Sequence, residues 1–210
     1  MNTTAAAADK QAVRDDIYAR RRQLMPEWTT QKSRTISERL LELPQFYDAD
    51  TICLYLALPH EVSLAHALKT ALADGRRILV PAYRPVSNDY AFKQITAATP
   101  LKNGLWNVPE PDTTDWTTPT GNTLIAVPGV AFDPAGRRLG HGKGFYDRLL
   151  AAVSPTSKCF KAGICFEFQI RDSLPAEPWD INMDAVLTDL AIYSTTAGTT
   201  ETLSKPDIIK

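Results

Sequence analysis

Three glycines that alternate with two basic side chains are the residues best suited to chemistry. Gly140, Gly142 and Gly144 are separated by His141 and Lys143, and a helical pattern follows directly. Glycine lets the backbone approach a ligand closely and adopt positive φ angles. The free N–H groups at a helix N-terminus bind phosphate oxygens with help from the helix dipole. The stretch therefore predicts a phosphate-binding turn; the alternative is a glycine-rich structural turn with solvated cations.

Charged side chains flank this turn. Arg137, Arg138 and Arg148 add to the positive charge of Lys143, and Asp147 falls in the first turn of the predicted helix. A carboxylate at this position would share a Mg²⁺ ion with nucleotide phosphates. The known nucleotide fingerprints do not fit, because glycine rather than Ser or Thr follows Lys143, and the third glycine comes too early for GxGxxG.

The elements that must position this turn alternate between apolar runs and helical patterns. Helices are predicted over residues 9–25, from Thr29 or Thr30 to 43, over 63–73 and over 145–153. Buried strands are predicted at 51–57, 76–81, 123–128, 161–167 and 184–193, with a more exposed strand at 90–95. A strand, loop, helix and strand in this order favour parallel pairing in an α/β sheet. Residues 109–122 are predicted to form a surface loop or lid.

The overall composition is that of a globular protein. Among 210 residues, 44% are hydrophobic and 22% charged, with a formal net charge of -1, so no general attraction to nucleic acid or membranes is expected. No apolar segment suits a signal peptide or a membrane span, so a cytoplasmic location is expected. Cys53 and Cys165 lie in strand-like runs and are predicted to be buried, reduced thiols. We expect one domain over 1–193 and a mobile tail over 194–210.

The glycine-rich turn belongs to a longer pattern that resembles a known enzyme family. Residues 128–147 are PGVAFDPAGRRLGHGKGFYD. This segment resembles the pattern PG-x-AFD-x-x-G-x-RLG-x-G-x-GYYD of the 5-formyltetrahydrofolate cyclo-ligases. Phe145 replaces the tyrosine often found there and lacks its hydroxyl group, whereas Tyr146 retains one.

The resemblance implies an ATP site. KQAVR at 10–14 is similar to the family's N-terminal K-x-x-x-R, whose two cations share one helix face at this spacing. The implied ATP-binding residues are Lys10, Arg14, Arg138, Leu139, Gly140, His141, Gly142, Lys143, Gly144, Phe145 and Tyr146. Among them, Lys143 is the implied catalytic residue.

The resemblance also implies a folate site and a metal site. LYLALPHEV at 54–62 is similar to a family segment that ends in a glutamate holding the pteridine ring, and LWNVPEP at 105–111 to an aromatic loop. The implied substrate-binding residues are Leu56, Glu61, Trp106, His141, Lys143 and Phe145. Asp147 and, in EPWD at 177–180, Asp180 would hold Mg²⁺, with Asp184 as the alternative second carboxylate.

The implied reaction is the ATP-dependent cyclisation of 5-formyltetrahydrofolate to 5,10-methenyltetrahydrofolate, with Mg²⁺ as cofactor. The implied fold is a three-layer α/β/α sandwich with a mainly parallel sheet, similar to sugar-phosphate isomerases and CoA transferases. A monomer without nucleic-acid or membrane partners is expected. Two alternatives remain: a phosphosugar isomerase-like enzyme that needs no ATP, and a folate-binding module without catalysis.

Overall fold

The computed structural model of the chain describes residues 3–153, 158–177 and 179–195, with side chains from position 9 onward. The helices are α1 (Thr3–Arg21), α2 (Pro26–Leu41), α3 (Pro44–Tyr47), α4 (Ala65–Ala73) and α5 (Phe145–Val153). The strands are β1 (Thr51–Cys53), β2 (Ile78–Arg84), β3 (Asp89–Ile95), β4 (Leu101–Asn103), β5 (Pro109–Pro111), β6 (Asn122–Pro128), β7 (Ala131–Phe132), β8 (Arg138–Leu139), β9 (Lys158–Ile164), β10 (Ala185–Leu187) and β11 (Ile192–Ser194).

A mixed, mostly parallel sheet organises the described part of the chain. Its seven strands lie in the order β11-β10-β9-β6-β1-β2-β3. The inner strands from β10 to β2 pair in parallel, whereas β11 and β3 are antiparallel edge strands. The predicted α/β class with a mainly parallel sheet is confirmed.

Alternating side chains bury both faces of this sheet. Along the first strand and the residue after it, Ile52 and Leu54 belong to the core that contains α2 and α4, whereas Cys53 points into the core of α5. A sheet covered by helices on both faces has apolar side chains in both directions. Cys53 and Cys165 are buried and unbridged, as predicted, and burial raises the pKa of both thiols.

The helix starts differ from the predictions, except for α5, which has the predicted bounds. The second helix begins at Pro26, because proline is well suited to the first helical position, where its missing N–H is not needed. Thr29 and Thr30 are therefore inside the helix, and their hydroxyls donate to the carbonyls of Met25 and Pro26. The first helix ends at Arg21, four residues before its predicted end at position 25.

Three predicted strands and one predicted loop differ clearly from the structure. The predicted strand at 184–193 is a hairpin of β10 and β11, because Thr188 closes a tight turn with Ala191. The predicted strand at 161–167 lies earlier, at Lys158–Ile164. The predicted strand at 51–57 is shorter, because β1 ends at Cys53. The predicted surface loop at 109–122 contains β5, in which Glu110 is buried and accepts a hydrogen bond from the Tyr83 N–H.

Two further expectations concern the chain ends and membranes. Of the predicted tail, Ser194 ends β11 and positions 196–210 lie outside the described residues. None of the described helices combines the length and the apolar character that crossing a bilayer requires.

Candidate active site

One cleft of about 850 Å³ lies where the parallel strands end. Its floor includes Tyr55 and Leu56 just after β1, Pro81 of β2 and Pro128 at the end of β6. The strand order runs in opposite directions on the two sides of β1, since β2 follows on one side and β6 lies on the other. Ligands of open α/β sheets bind at such a switch point, beyond the carboxyl ends of the strands.

The glycine-rich turn forms one wall of the cleft. It connects β8 to the N-terminus of α5, and Gly142 and Gly144 have φ angles of 90° and 65°. These angles lie in the left-handed region that residues with a side chain rarely adopt. The Arg14 guanidinium lies beside this turn, at ordinary contact distance from a Cβ built on Gly142. The positive φ angles are therefore the reason for glycine here, and they shape the turn that leads into α5.

Helix α1 brings two cations to this turn. The Arg14 Nε atom donates to the Gly140 carbonyl at 3.0 Å. One helical turn earlier, Lys10 lies 3.6 Å from a carboxylate oxygen of Asp180 and 3.7 Å from one of Glu177. The spacing of four residues places both cations on one face, as the sequence predicts.

A buried carboxylate, Glu61, lies at another part of the cleft. Its side chain is only 8% exposed, and its Oε2 atom accepts the Leu58 N–H at 3.0 Å. Its Oε1 atom lies 3.5 Å from His141 Nε2 and 4.0 Å from Arg21 Nη1. A carboxylate held in this way keeps lone pairs for paired N–H donors of a ligand ring.

Tyr18 is a neighbour of this carboxylate that the sequence did not reveal. Its hydroxyl and His141 Nδ1 are 2.8 Å apart, and the two rings stack with centroids 6.0 Å apart. Arg21, on the same helix, is buried and donates to the Gly129 carbonyl at 2.9 Å. The spacing of Lys10, Arg14, Tyr18 and Arg21, at intervals of four, four and three, is the signal that places all four on one helix face.

Aromatic rings form a second wall. The rings of Trp106 and Phe145 meet edge to face with centroids 5.6 Å apart, and Tyr90 packs 5.2 Å from Phe145. Trp106 and Asn107 both have positive φ, at 56° and 60°. Residues other than glycine keep such strained conformations only where surrounding contacts hold them, and these positions cluster at ligand sites. Burial raises the pKa of Tyr90 to about 12, so its phenol stays neutral.

Two carboxylates of the cleft suit a magnesium ion. Asp147, in the first turn of α5, accepts a hydrogen bond from Arg138 at 2.7 Å, and Asp180 faces Lys10. Mg²⁺ is usually held by one or two carboxylates, with phosphate oxygens and water completing its shell. Among the described residues, no three His, Cys, Asp or Glu side chains form a metal cluster of their own. The pair therefore fits an ion shared with a nucleotide.

The alternative carboxylate, Asp184, has a different role. It accepts the Lys161 N–H at 2.7 Å and lies 2.8 Å from the Lys161 ammonium group. It does not line the cleft, whereas Asp180 does.

The cleft brings together the residues that the resemblance implied for the ATP, folate and metal sites, with the exception of the alternative carboxylate Asp184. On the phosphate side these are Lys10, Arg14, Arg138, Leu139, Gly140, His141, Gly142, Lys143, Gly144, Phe145 and Tyr146. On the other side these are Leu56, Glu61 and Trp106, with the carboxylates Asp147 and Asp180. Lining residues that the sequence did not single out include Tyr55, Leu58, Tyr90, Val108 and Trp179.

The fold and the cleft define an α/β protein in which a glycine-rich turn with cations and an aromatic wall share one cleft. The model of the 5-formyltetrahydrofolate cyclo-ligase family matches residues 6–189. The chain belongs to the 5-formyltetrahydrofolate cyclo-ligase family.

Individual relatives agree with this assignment. The 5-formyltetrahydrofolate cyclo-ligase of Mus musculus is 27% identical over 85% of this chain and 92% of its own length. The Escherichia coli K12 protein of the same name is 29% identical over 84% of this chain and 98% of its own. The solved 5,10-methenyltetrahydrofolate synthetase of Aquifex aeolicus superimposes with a TM-score of 0.76 at 27% identity, covering 95% of this chain and 98% of that one.

Proposed function

We propose that this protein catalyses the ATP-dependent cyclisation of 5-formyltetrahydrofolate to 5,10-methenyltetrahydrofolate, with release of ADP and phosphate. The observation that carries the proposal is the joint lining of one cleft. The cations and glycine-rich turn that suit a triphosphate share this cleft with the buried Glu61 and the aromatic wall at Trp106. A reaction that transfers phosphate directly between ATP and a folate requires both ligands in one such space.

The formyl oxygen of the substrate is a poor leaving group, so it must be activated before N10 can close the ring. The formyl oxygen on N5 attacks the γ-phosphorus of ATP, and the bond from that phosphorus to the ADP oxygen breaks. The activated carbon is then attacked by N10, which loses its proton as the new C–N bond closes the ring. The carbon–oxygen bond breaks, and inorganic phosphate leaves with the former formyl oxygen.

The phosphate side of the cleft supplies positioning and charge neutralisation, which dominate catalysis of phosphoryl transfer. Backbone N–H groups from Gly140 to Gly144 bind the phosphates. Lys10 and Arg14 neutralise the triphosphate. Lys143, which is exposed and free to follow the transferring group, is the proposed catalytic residue. Its role is to offset the negative charge that the group carries between donor and acceptor oxygens.

Asp147 and Asp180 are the proposed ligands of the Mg²⁺ ion, which would neutralise phosphate charge when bound with the nucleotide. Arg138 lies 2.7 Å from Asp147 and Lys10 lies 3.6 Å from Asp180, so each carboxylate has a cation beside it. Both carboxylates line the cleft in this arrangement.

The folate side fixes the ring system. Glu61 accepts N–H groups of the pteridine, while Leu56 and Trp106 cover its faces and exclude water. Phe145 touches both substrates from the junction of turn and helix, and its ring supports Trp106. Tyr146 is partly buried near Glu61, and desolvation raises the pKa of its phenol, so it remains a neutral donor.

Three finer features are part of this proposal. They are a likeness of the fold to sugar-phosphate isomerases and CoA transferases, a cytoplasmic location and a monomeric state.

The test mixes purified protein with 5-formyltetrahydrofolate, ATP and Mg²⁺. Methenyltetrahydrofolate is followed by its near-ultraviolet absorbance while ADP is measured in parallel, and ATP is omitted in the control. Equal amounts of product and ADP, formed only with ATP, would support the proposal. Folded protein without product would overturn it, and binding titrations would then distinguish a folate-binding module from an unrelated enzyme.

A further inference from the structure

We infer that Tyr18 is a positioning residue for the folate site, acting through His141 on the Glu61 carboxylate. The inference rests on the proposed function, because it assigns Glu61 to the folate. It adds to helix α1 a second task beside the phosphate contacts of Lys10 and Arg14. A single helix thereby contacts both substrate sites.

Two contacts of His141 together determine which of its ring nitrogens carries a proton. In a neutral imidazole, one nitrogen donates when the other accepts. Carboxylate oxygens accept hydrogen bonds, so Nε2, which lies 3.5 Å from Glu61 Oε1, is the donating nitrogen. Nδ1 then accepts from the Tyr18 hydroxyl 2.8 Å away, and burial, which raises the pKa of that phenol, keeps its proton available.

The opposite tautomer would harm the folate site. If Nδ1 carried the proton, the lone pair of Nε2 would face the lone pairs of Glu61 Oε1. The carboxylate would then turn away from its present position between His141 and Arg21. Because Leu58 holds the other oxygen at 3.0 Å, such a rotation would misdirect both oxygens relative to a bound ring.

Arg21 holds the same carboxylate from the other side. Its Nη2 atom is fixed by the Gly129 carbonyl at 2.9 Å, while Nη1 lies 4.0 Å from Glu61 Oε1. The guanidinium is buried, and its Nε atom has no hydrogen-bond partner there. The buried guanidinium adds positive charge beside Glu61, whereas Tyr18 and His141 fix the direction of its carboxylate.

The decisive variant is Tyr18→Phe, which removes only the hydroxyl. The loss of one hydrogen bond in such a chain should raise the KM for 5-formyltetrahydrofolate about three- to tenfold. The KM for ATP and kcat should stay within about twofold, because Lys10, Arg14 and the turn are unchanged. Tyr47→Phe, at an exposed tyrosine of α3, is the matched control and should leave all three parameters unchanged.

The double variant Tyr18→Phe, His141→Gln tests whether the effect passes through the histidine. Adding the phenylalanine to His141→Gln should then change the folate KM little further. Urea unfolding of each variant checks that all are folded. Wild type without turnover would overturn the proposed function, whereas an active wild type with an unchanged folate KM in Tyr18→Phe would overturn only this inference.

Discussion

The Nε atom of Arg14 donates a hydrogen bond to the carbonyl oxygen of Gly140 at 3.0 Å, which joins the N-terminal helix to the glycine-rich turn. The two residues are 126 positions apart in the chain. This bond and a longer one from Nη1 to the Gln11 side-chain oxygen at 3.4 Å occupy two donors of the guanidinium and leave the rest for a ligand in the cleft. The same arginine thus holds the turn in place and adds positive charge to it.

Replacing Arg14 by alanine should weaken ATP binding. A charge-assisted hydrogen bond to phosphate contributes about 1.5–3 kcal/mol, so the KM for ATP should rise about tenfold to a hundredfold. Arg20→Ala, on the same helix but outside the cleft, is the matched control, since its exposed ion pair with Asp16 contributes little. If the KM for ATP rose equally in both variants, the cause would be disruption of helix α1 and not the loss of a phosphate contact from Arg14.

Lys143→Ala should reduce turnover without reducing stability. Removing one group that stabilises transition-state charge typically costs about a hundredfold or more in kcat. The side chain is exposed, so the free energy of unfolding should change by no more than about 0.5 kcal/mol. Rapid-quench measurement of ADP formation and urea unfolding check the two parts. Lys69→Ala on α4 controls for loss of an exposed lysine, and a misfolded Lys143→Ala protein would contradict the assignment.

The sequence predicted the cleft better than the boundaries of the elements. The glycine-rich turn and α5 are local features that the sequence shows directly. The positive φ angles fall at the glycines Gly142 and Gly144, and the helix begins where the helical pattern begins, at Phe145. The i and i+4 spacing of Lys10 and Arg14 likewise predicts a shared face. Whether that face meets the turn depends on packing across the chain, and only the resemblance to a family implied it.

Other features depend on contacts that no local pattern reveals. The hairpin of β10 and β11 bends where the Thr188 side chain bonds to the Leu190 and Ala191 N–H groups, although the apolar run continues. The spacing of Tyr18 and Arg21 places them on the helix face of Lys10 and Arg14, but not against Glu61. Their partners come from distant segments, His141 for Tyr18 and the Gly129 carbonyl for Arg21, so periodicity does not identify those contacts.

Stability should decline in alkali because the core contains weak acids. Burial raises the pKa of Cys53 and Cys165 above the ordinary 9.0, and that of Tyr55 above 10.0. A raised folded-state pKa gives stability that is fully present below the unfolded pKa and is lost as the pH rises towards the folded pKa. Each such group should lower the free energy of unfolding by about 1.4 kcal/mol per pH unit in that window.

Urea unfolding from about pH 8 to pH 10.5 measures this slope. Cys53→Ala should reduce the slope by the contribution of one group, about 1.4 kcal/mol per pH unit. Tyr47→Phe, at an exposed tyrosine, should change the slope much less. A slope that does not respond to Cys53→Ala would show that the decline arises elsewhere.

Asp180→Asn and Asp184→Asn should separate a metal ligand from a structural carboxylate. The Asp180 side chain faces the cleft, so an amide there should raise the Mg²⁺ concentration for half-maximal activity by at least about tenfold. Asp184 instead accepts the Lys161 N–H and pairs with its ammonium group. Its replacement should lower the free energy of unfolding by about 1 kcal/mol and leave the Mg²⁺ requirement unchanged.

Binding of Mn²⁺ with ADP, measured by equilibrium dialysis, tests the same distinction without turnover. Asp180→Asn should weaken the binding of Mn²⁺ when ADP is present, because the ion would lose a protein ligand while keeping its phosphate ligands. Asparagine retains a carbonyl oxygen that can still accept the Glu177 N–H, so the loop should keep its shape. If instead Asp184→Asn weakened Mn²⁺ binding and Asp180→Asn did not, the second ligand would have to be reassigned and the loop would have to move when nucleotide binds.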